Sequence, residues 1–520
     1  MKKLFQTLLV FVFALILVGC NVSDQNPTCE HDYIDGVCSK CKDIQEENEI
    51  LYNQTGFDGK GMEVVIYCNV EENDPFHESY IKNDKTLKQE RINEIEDAYQ
   101  INLIFKDYPN NASYGYTRVK YILENIEENK EDEKGHIFAI SSDWLVPLAT
   151  SGLIAELYNE TNQTGVLKDI KNNFNESLRK LYTVNSKVYA YETNKPHADH
   201  FLYYNLNLIE SFNLENPATL WNEGKWDYTA FKDYLQKASD AFASVSKEMY
   251  PLGGKVSDIT LGMLSSSGYK LIDEETNIVN FVDENILSIY KDLNEIYHNN
   301  KWANDSVVSD ISMNFVNGQQ LFTSGNLWYL LSSMKFKDNV DFEIGIVPYP
   351  ARDGSARPLG EVVDNYLVPS YANSCFVFAN DDNISSKVLV NIVDDLLYGV
   401  NKNQSNENRD EYVQYLETLF SETSEYKEAS INAIMSIEDN LDKYIYYNYM
   451  SVVDAYLNYT VESWDYFIGY DVWAPSIIIN DIELIENLLN IKQNEYQKIL
   501  NQMTKKESWW ITRKNFLEIA

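Results

Sequence analysis

Positive charge is scarce in this sequence of 520 residues. Only 43 Lys and Arg residues stand against 80 Asp and Glu residues, so the formal net charge is -37 at pH 7. A negative field of this size repels phosphate groups, which argues strongly against a nucleic-acid partner. Solubility is a sufficient explanation of the acidity, which is compatible with a cationic ligand but does not require one.

Recognisable catalytic motifs are absent. The sequence contains no G-x-S-x-G nucleophile elbow, no H-E-x-x-H zinc motif, no P-loop and no internal repeat. Acidic residues are so numerous that any two of them could be nominated as a glycosidase pair, and spacing alone therefore carries no information. We predict no catalytic residues and no cofactor that binding would require.

Long apolar runs are also missing, with one exception at the amino terminus. Residues 4–18 are apolar, Lys2 and Lys3 precede them, and Gly19 and Cys20 follow. This order predicts a secretory signal peptide over residues 1–19 rather than a membrane-spanning helix. Residues 17–20 resemble a bacterial lipobox, which implies that Cys20 carries lipid, such as palmitate, and begins the mature chain. The alternative is an ordinary signal peptide with an incidental cysteine.

Cysteine is scarce, yet three of the six cysteines lie in one short cluster with a histidine. The cluster spans thirteen residues around Gly36 and consists of Cys29, His31, Cys38 and Cys41. Four soft ligands can surround one structural Zn²⁺ tetrahedrally, and the spacing resembles a short zinc-binding element near the amino terminus of some Firmicutes lipoproteins. A disulfide with one thiol left over, or an unstructured tether, are the alternatives.

The remaining sequence is that of a packed globular protein, with 44% hydrophobic and 13% aromatic residues. Residues 20–61 are predicted to be a lipid-anchored tether, because the stretch from residue 42 onward is polar and carries Gly56, Gly59 and Gly61. Strands are predicted over residues 62–68, 101–105 and 136–140, and helices over residues 84–99 and 116–127. This β-α-β-α-β order predicts a mostly parallel sheet covered by helices.

Residues 201–226 show a distinctive pattern. An aromatic strand is predicted over residues 201–204 and a helix from Leu206 to Asn213; Pro217 then predicts a loop that leads to Trp221 and Trp226. The pattern Y-Y-N, a short helix and P-x-T-x-W resembles the point where extracellular solute-binding proteins of bacterial ABC transporters, family 1, cross between lobes. Residues 360–369 resemble the crossing in the opposite direction.

Three further segments resemble that family in the family's order. They are the S-x-x-W turn that ends at Trp144, the G-x-W segment that ends at Trp328, and the V-P-Y-P run at residues 347–350. The resemblance implies an α/β, two-lobed, periplasmic-binding-protein-like fold of type II with hinge crossings. Residues 62–199 would begin lobe 1, residues 200–359 would form lobe 2, and residues 360–520 would return to lobe 1 and add carboxyl-terminal helices.

The same resemblance implies a function. The chain would be the monomeric, lipid-anchored solute-binding component of an ABC importer on the outer face of the cell membrane. It would bind a carbohydrate between its lobes and present it to a permease. The candidate ligand contacts are Trp144, Tyr203, Tyr204, Trp328, Glu361, Tyr366, Trp464 and Trp473. A surface glycan hydrolase and an adhesin without a transport role are the alternatives.

Overall fold

The computed structural model divides the chain into two compact units, Met1–Leu51 and Tyr52–Ala520. It describes residues 33–34, 37–38, 52–80, 85–112, 114–128, 134–169, 179, 182–192, 197–273, 276–303, 312–330, 332, 335–336, 338–370, 374–404, 409–420, 426–463 and 468–503. In the first unit, Tyr33–Ile34 and Val37–Cys38 form an antiparallel hairpin. The predictions for Cys20, Cys29, His31, Cys41 and Trp464 lie outside the described residues.

Strands and helices alternate at the start of the second unit, as the hydrophobic pattern predicts. Strand β1 places five consecutive buried residues in the core, and the first helix buries Ile92, Ile95 and Tyr99 at helical spacing. The elements are β1 (Met62–Cys68), α1 (Lys85–Tyr99), β2 (Ile101–Asp107), α2 (Gly115–Glu128), β3 (Ile137–Ser141) and α3 (Leu145–Ser151). Two-residue strands at residues 158–159, 164–165, 183–184 and 187–188 form a small antiparallel sheet.

Besides a pair of two-residue strands at residues 272–273 and 278–279, the described middle of the chain contributes four longer strands and five helices of six or more residues. They are β4 (His200–Asn205), α4 (Leu206–Ser211), α5 (Pro217–Asn222), α6 (Tyr228–Phe242), β5 (Tyr250–Leu252), α7 (Val256–Ser266), α8 (Glu284–Ile296), β6 (Gln320–Asn326) and β7 (Ile344–Val347). The loop predicted at Pro217 is wrong. Pro217 starts α5, because proline fits the first helical position and Asn216 caps the helix by accepting a hydrogen bond from the Thr219 amide.

The final part of the chain is mainly helical. Its elements are β8 (Val368–Ser370), β9 (Ser374–Phe378), α9 (Ser386–Gln404), α10 (Arg409–Leu419), α11 (Lys427–Glu438), β10 (Ile445–Tyr447), α12 (Tyr449–Val461), α13 (Ala474–Ile478) and α14 (Ile482–Met503). A π-helical turn, Gly469–Trp473, precedes α13. The carboxyl-terminal helices that the resemblance implies are present, and α14 is the longest of them.

Two four-stranded sheets organise these elements into two lobes. The first sheet has the order β9-β3-β1-β2, in which β1, β2 and β3 are parallel and β9 is antiparallel. The second has the order β5-β6-β4-β7, with β4 antiparallel to both neighbours. We call β1 to α3 with β9 and α9 the first lobe, and residues 200–347 the second lobe. The predicted two-lobed α/β fold is confirmed.

The chain crosses between the lobes several times. Strand β8 follows β7, the last strand of the second sheet, and precedes β9 of the first sheet. It pairs in parallel with β10. Helix α11 then packs against α5 and β7 of the second lobe, whereas α12 packs on α2 and α3 of the first lobe. The π-helical turn and α13 contact α7 and α8 of the second lobe. The carboxyl-terminal helices therefore pack against both lobes.

Candidate functional site

A cavity of about 730 Å³ lies where the carboxyl ends of β1 and β3 face the first turn of α7. Clefts that hold small ligands typically have about 300–1,000 Å³, and the carboxyl edge of a parallel sheet is where open α/β folds bind them. The lining residues are Cys68, Asn69, Glu72, Asn73, Tyr108, Tyr114, Gly115, Tyr116, Arg118, Val119, Ala139, Ile140, Ser141, Asp143, Trp144, Lys255, Ser257, Asp258, Leu261, Asn326, Ser374, Ser451, Asp454, Ala455, Asn458, Ile468, Gly469 and Trp473.

Aromatic rings form the first-lobe side of this cleft. Trp144 closes the short 3-10 turn after β3, and its ring meets the half-exposed ring of Tyr114 edge-on, with centroids 4.9 Å apart. The Arg118 guanidinium lies 4.2 Å from the Tyr108 ring centroid and 5.6 Å from that of Trp144. Such rings offer apolar faces on which the apolar face of a sugar ring could stack.

Asp143 adds an unusual carboxyl group to the same wall. It precedes Trp144 in the turn, and its Oδ1 atom is buried with no hydrogen-bond partner among the residues that the structure describes. Burial raises the pKa of Asp143 to about 6, although a hydrogen bond from Ser141 and one from its own amide lower it. Asp143 can therefore change charge near neutral pH.

The second-lobe side of the cleft is fixed by two neighbouring residues at the start of β4. Asp199 accepts hydrogen bonds from Asn326 Nδ2 at 2.7 Å and from the Leu327 amide at 2.6 Å. His200 Nε2 donates to the Asp258 carbonyl at 2.8 Å. Burial raises the pKa of Asp199 to about 6 and lowers that of His200, so the imidazole is neutral and carries its proton on Nε2.

Helix α12 supplies the third side. Ser451, Asp454, Ala455 and Asn458 all line the cavity, and their spacing of three, four and seven residues places them on one helical face. Beside them lie Ile468, Gly469 and Trp473, which belong to or border the π-helical turn. The cleft is thus built from chain segments more than 350 residues apart.

Two of the predicted ligand contacts lie in the cavity lining. Trp144 is 4% exposed and Trp473 is 3% exposed, and both line the cleft. Most of the Trp144 ring therefore packs against the protein, while one part borders the cavity. The role of Trp144 and Trp473 as ligand contacts stays a prediction.

The other predicted contacts that the structure describes lie outside the lining. Tyr203 and Tyr204 are fully buried, and their hydroxyls donate to the Asn326 carbonyl and to Asn216 Oδ1. Tyr366 is buried and donates to the Tyr349 carbonyl. Glu361 and Trp328 are exposed, and the Trp328 ring packs edge-on against Tyr329. Trp328 does follow the lining residue Asn326 by two positions.

Sequence reasoning missed most of the polar lining. Asp143 stands inside the turn that drew attention to Trp144, so the position of that turn after β3 was a usable signal. Arg118, Lys255 and Asp454 carried no comparable signal. Their part in the cleft depends on how α2, α7 and α12 pack, which no local pattern encodes.

The described residues meet the requirements neither of a membrane-spanning helix nor of a metal site. Within the described ranges, no helix is long and apolar enough to cross a membrane. Nor does that part of the chain contain a group of three or more His, Cys, Asp or Glu side chains that could hold a metal ion.

The comparisons with known proteins identify the fold. No protein-family model matches the chain, and no curated protein does. Among solved structures, it is similar to an ABC substrate-binding protein, Lmo0181 from Listeria monocytogenes in complex with cycloalternan. That match has 12% identity and a TM-score of 0.51, and it covers 85% of this chain and 99% of the other.

A second similar structure is UgpB from Mycobacterium tuberculosis in complex with glycerophosphocholine. It shares 13% identity at a TM-score of 0.51, with 86% of this chain and 99% of the other covered. At these identities the similarity shows the two-lobed fold of substrate-binding proteins and nothing finer. The match spans both lobes, because it covers 99% of each of the two similar proteins.

Proposed function

We propose that this protein binds a carbohydrate reversibly between its two lobes, as the extracellular solute-binding component of an ABC importer. The observation that carries the proposal is the cavity of about 730 Å³ at the carboxyl edge of the first sheet, walled by both lobes and by α12. In a two-lobed body of this kind, rotation about the crossings would close the cleft around its ligand. A membrane permease would then receive the solute.

The lining suits a sugar because it combines two kinds of surface. The half-exposed ring of Tyr114 can stack on the apolar face of a pyranose ring, and the parts of Trp144 and Trp473 that border the cavity add apolar surface beside it. Carboxyl, amide and hydroxyl groups, among them Asp143 and Asn326, can accept or donate hydrogen bonds to sugar hydroxyls. No chemical step is needed in such a site, and we propose that the protein is not an enzyme.

A thermal-shift screen of the ligand-stripped full chain tests the proposal. The panel contains mono- and oligosaccharides, amino acids and polyamines, together with cycloalternan and glycerophosphocholine, with which the two similar proteins were solved. We expect a saccharide to raise the unfolding midpoint, because a ligand that binds only the folded state stabilises it. If no solute raises the midpoint, binding in the cleft is refuted.

The alternatives are separated by what happens to a solute that binds. Recovery of the intact saccharide after prolonged incubation supports reversible binding, whereas release of shorter glycans would establish the hydrolase instead. Deletion of the gene should abolish cellular uptake of the same saccharide. Undiminished uptake, with loss of surface attachment, would instead support the adhesin.

We further propose that Cys20 is lipidated and holds the body on the outer face of the membrane. The support is the order of basic residues, apolar run, Gly19 and Cys20. Metabolic labelling with a palmitate analogue should mark the wild-type chain and not Cys20→Ser, which should appear in the medium. Release of the wild-type chain into the medium would contradict the anchor.

We also propose that the cluster in the first unit binds one structural zinc ion. Tyr33 pairs with Cys38 in the hairpin, so these two residues lie at the same end of it. Cys29 and His31 precede Tyr33 in the sequence, and Cys41 follows Cys38. The donor set of three thiols and one imidazole suits tetrahedral Zn²⁺. Metal analysis should find about one equivalent in the full chain, none in Cys38→Ser and an unchanged content in Cys375→Ala. A disulfide among these cysteines would instead lower the free-thiol count.

A further inference from the structure

Asp454 is a buried carboxyl group on α12, and it bonds to Ile468, the residue that precedes the π-helical turn. It is 7% exposed and lines the cavity. Its two oxygens lie 3.2 Å and 3.1 Å from the Ile468 amide nitrogen, which donates to them. The Tyr496 hydroxyl of α14 lies 3.4 Å from Oδ1.

These bonds join parts of the molecule that belong to different lobes. Helix α12 packs on α2, on the turn that contains Trp144, and on α3, all in the first lobe. The π-helical turn packs on α7, and α14 packs on the strand Ile278–Val279, which pairs with Ile272–Asp273; both α7 and this strand pair belong to the second lobe. We call residues 468–473 the wall segment, because Ile468, Gly469 and Trp473 line the cleft.

We propose that Asp454 is a positioning residue whose carboxyl group fastens the wall segment to α12 and thereby sets the surface that Gly469 and Trp473 present to the ligand. The proposal deepens the proposed function, since the wall matters only if the cleft binds a solute. The hydrogen bonds from the Ile468 amide tie the start of the wall segment to this carboxyl group. The wall has little room to shift, because a Cβ at Gly469 would lie 3.0 Å from Ser257 Cβ.

The charges around Asp454 make this attachment sensitive to pH. Burial, with Asp471 of the wall segment and Asp143 of the first lobe adding repulsion, raises the pKa of Asp454 well above its usual range; the hydrogen bonds from Ile468 and Tyr496 lower it. Arg118 of α2 lines the same cavity, and α3 contributes no titratable side chain. The folded protein therefore favours the protonated carboxyl group.

The sign of the pH effect follows. A carboxyl group whose pKa is raised by folding stabilises the folded form in acid and loses that contribution as the pH rises through its folded pKa. Ionised Asp454 would also repel Asp471 and Asp143. Asp454 should therefore stabilise the folded protein most in acid, although the hydrogen bond from the Ile468 amide by itself favours the ionised carboxylate. A side chain with only a space-filling role would show no such dependence.

Hydrogen exchange read by mass spectrometry tests the proposal without any ligand, so its outcome is independent of whether the cleft binds a saccharide. In Asp454→Ala we expect about tenfold faster exchange in peptides covering residues 468–473, the change expected for one lost hydrogen bond. Peptides covering β3 should be unchanged. Asp454→Asn should restore most of the protection, because its amide oxygen can still accept from the Ile468 amide.

Two further comparisons sharpen the result. Ser451→Ala alters the same face of α12, but among the described residues the Ser451 hydroxyl donates to the Asn448 carbonyl at the helix start, so exchange at residues 468–473 should not change. As the pH rises, the free energy of unfolding of the wild type in urea should fall relative to that of Asp454→Asn at the same pH. Unchanged exchange in Asp454→Ala, equal loosening of β3, or parallel pH profiles of wild type and Asp454→Asn would each overturn the proposal.

Discussion

Asp395 should make the stability of the main body depend on pH, in a direction opposite to that of an ordinary ion-paired aspartate. It lies on α9 and is 8% exposed. Its Oδ2 atom accepts a hydrogen bond of 2.6 Å from the Tyr99 hydroxyl, at the end of α1, and one of 3.2 Å from the Asn53 amide. The carboxyl group thus attaches the first residues of the second unit to α1 and α9, two helices of the first lobe.

The magnitude follows from the change in proton affinity. Burial raises the pKa of Asp395 from 3.8 to about 6, although the hydrogen bonds from Tyr99 and Asn53 lower it. Each tenfold change in proton affinity corresponds to about 1.4 kcal/mol, so the raised pKa corresponds to about 3 kcal/mol. Because the folded pKa is the higher one, this contribution is present in acid and is lost as the pH rises, mostly between about pH 4 and pH 6.

Urea denaturation of the wild type and of Asp395→Asn, followed from pH 4 to pH 7.5, measures this effect. Asparagine cannot titrate, yet its oxygen can accept from both Tyr99 and Asn53. We expect the free energy of unfolding of the wild type, relative to Asp395→Asn, to fall by about 2–3 kcal/mol across this range. The comparison between variants removes the titration of all other groups that both proteins share.

Asp381 provides a control of the opposite sign. Burial alone would raise its pKa, but the Lys134 ammonium, with which it pairs, holds that pKa below its usual value. Its contribution is therefore lost only in acid, and the difference between wild type and Asp381→Asn should be flat from pH 5 to pH 7.5. A flat profile for Asp395→Asn as well would refute the reasoning, since it would mean that the Asp395 carboxyl group is hydrated.

Three further changes test the packing and the cleft. Thr260→Val on α7 should raise the free energy of unfolding by about 1 kcal/mol in urea denaturation, because it removes a buried hydroxyl that has no partner in the described residues; a loss would contradict this. Asn294→Ala should lower it by about 2 kcal/mol, since Nδ2 donates to the Ile477 and Ile479 carbonyls at 2.7 Å, whereas the exposed Asn490→Ala should be neutral. Once a saccharide is identified, Trp144→Ala should weaken its affinity roughly 2–10-fold by calorimetry, and Trp328→Ala, outside the cavity lining, should not.

The first lobe could be predicted because its signals are local. The β-branched run of β1 and the helical spacing of Ile92 and Ile95 are visible in the sequence, and their alternation predicts parallel strands. The positions of Tyr203 and Tyr204 could not be predicted in the same way. Side chains of neighbouring strand residues point to opposite faces, and both faces of β4 are covered, so both rings are buried.

The polar residues of the cleft could not be predicted from the sequence for a different reason. Asp454 becomes a lining residue only because α12, which is far along the chain, packs on the turn that contains Trp144. Asn326 enters the lining through its hydrogen bond to Asp199 at the start of β4. Such pairings are contacts between residues that are far apart in the sequence. No local pattern in a single sequence indicates which of these residues will meet.

The residues that hold the cleft walls also stand at the crossings between the lobes. Asp199 and His200 fix Asn326 and Asp258 where the chain enters the second lobe, and Asp454 fixes the wall segment where it enters that lobe again. These hydrogen bonds hold the cleft walls and also lie at the crossings. A rotation of the lobes about the crossings would therefore move the cleft walls as well. A ligand that fits only one arrangement of the walls would therefore shift the population of lobe orientations by its difference in affinity between them. Substitutions at these three residues should alter lobe closure and ligand affinity together, whereas substitutions of the exposed aromatic side chain of Trp328 should alter neither.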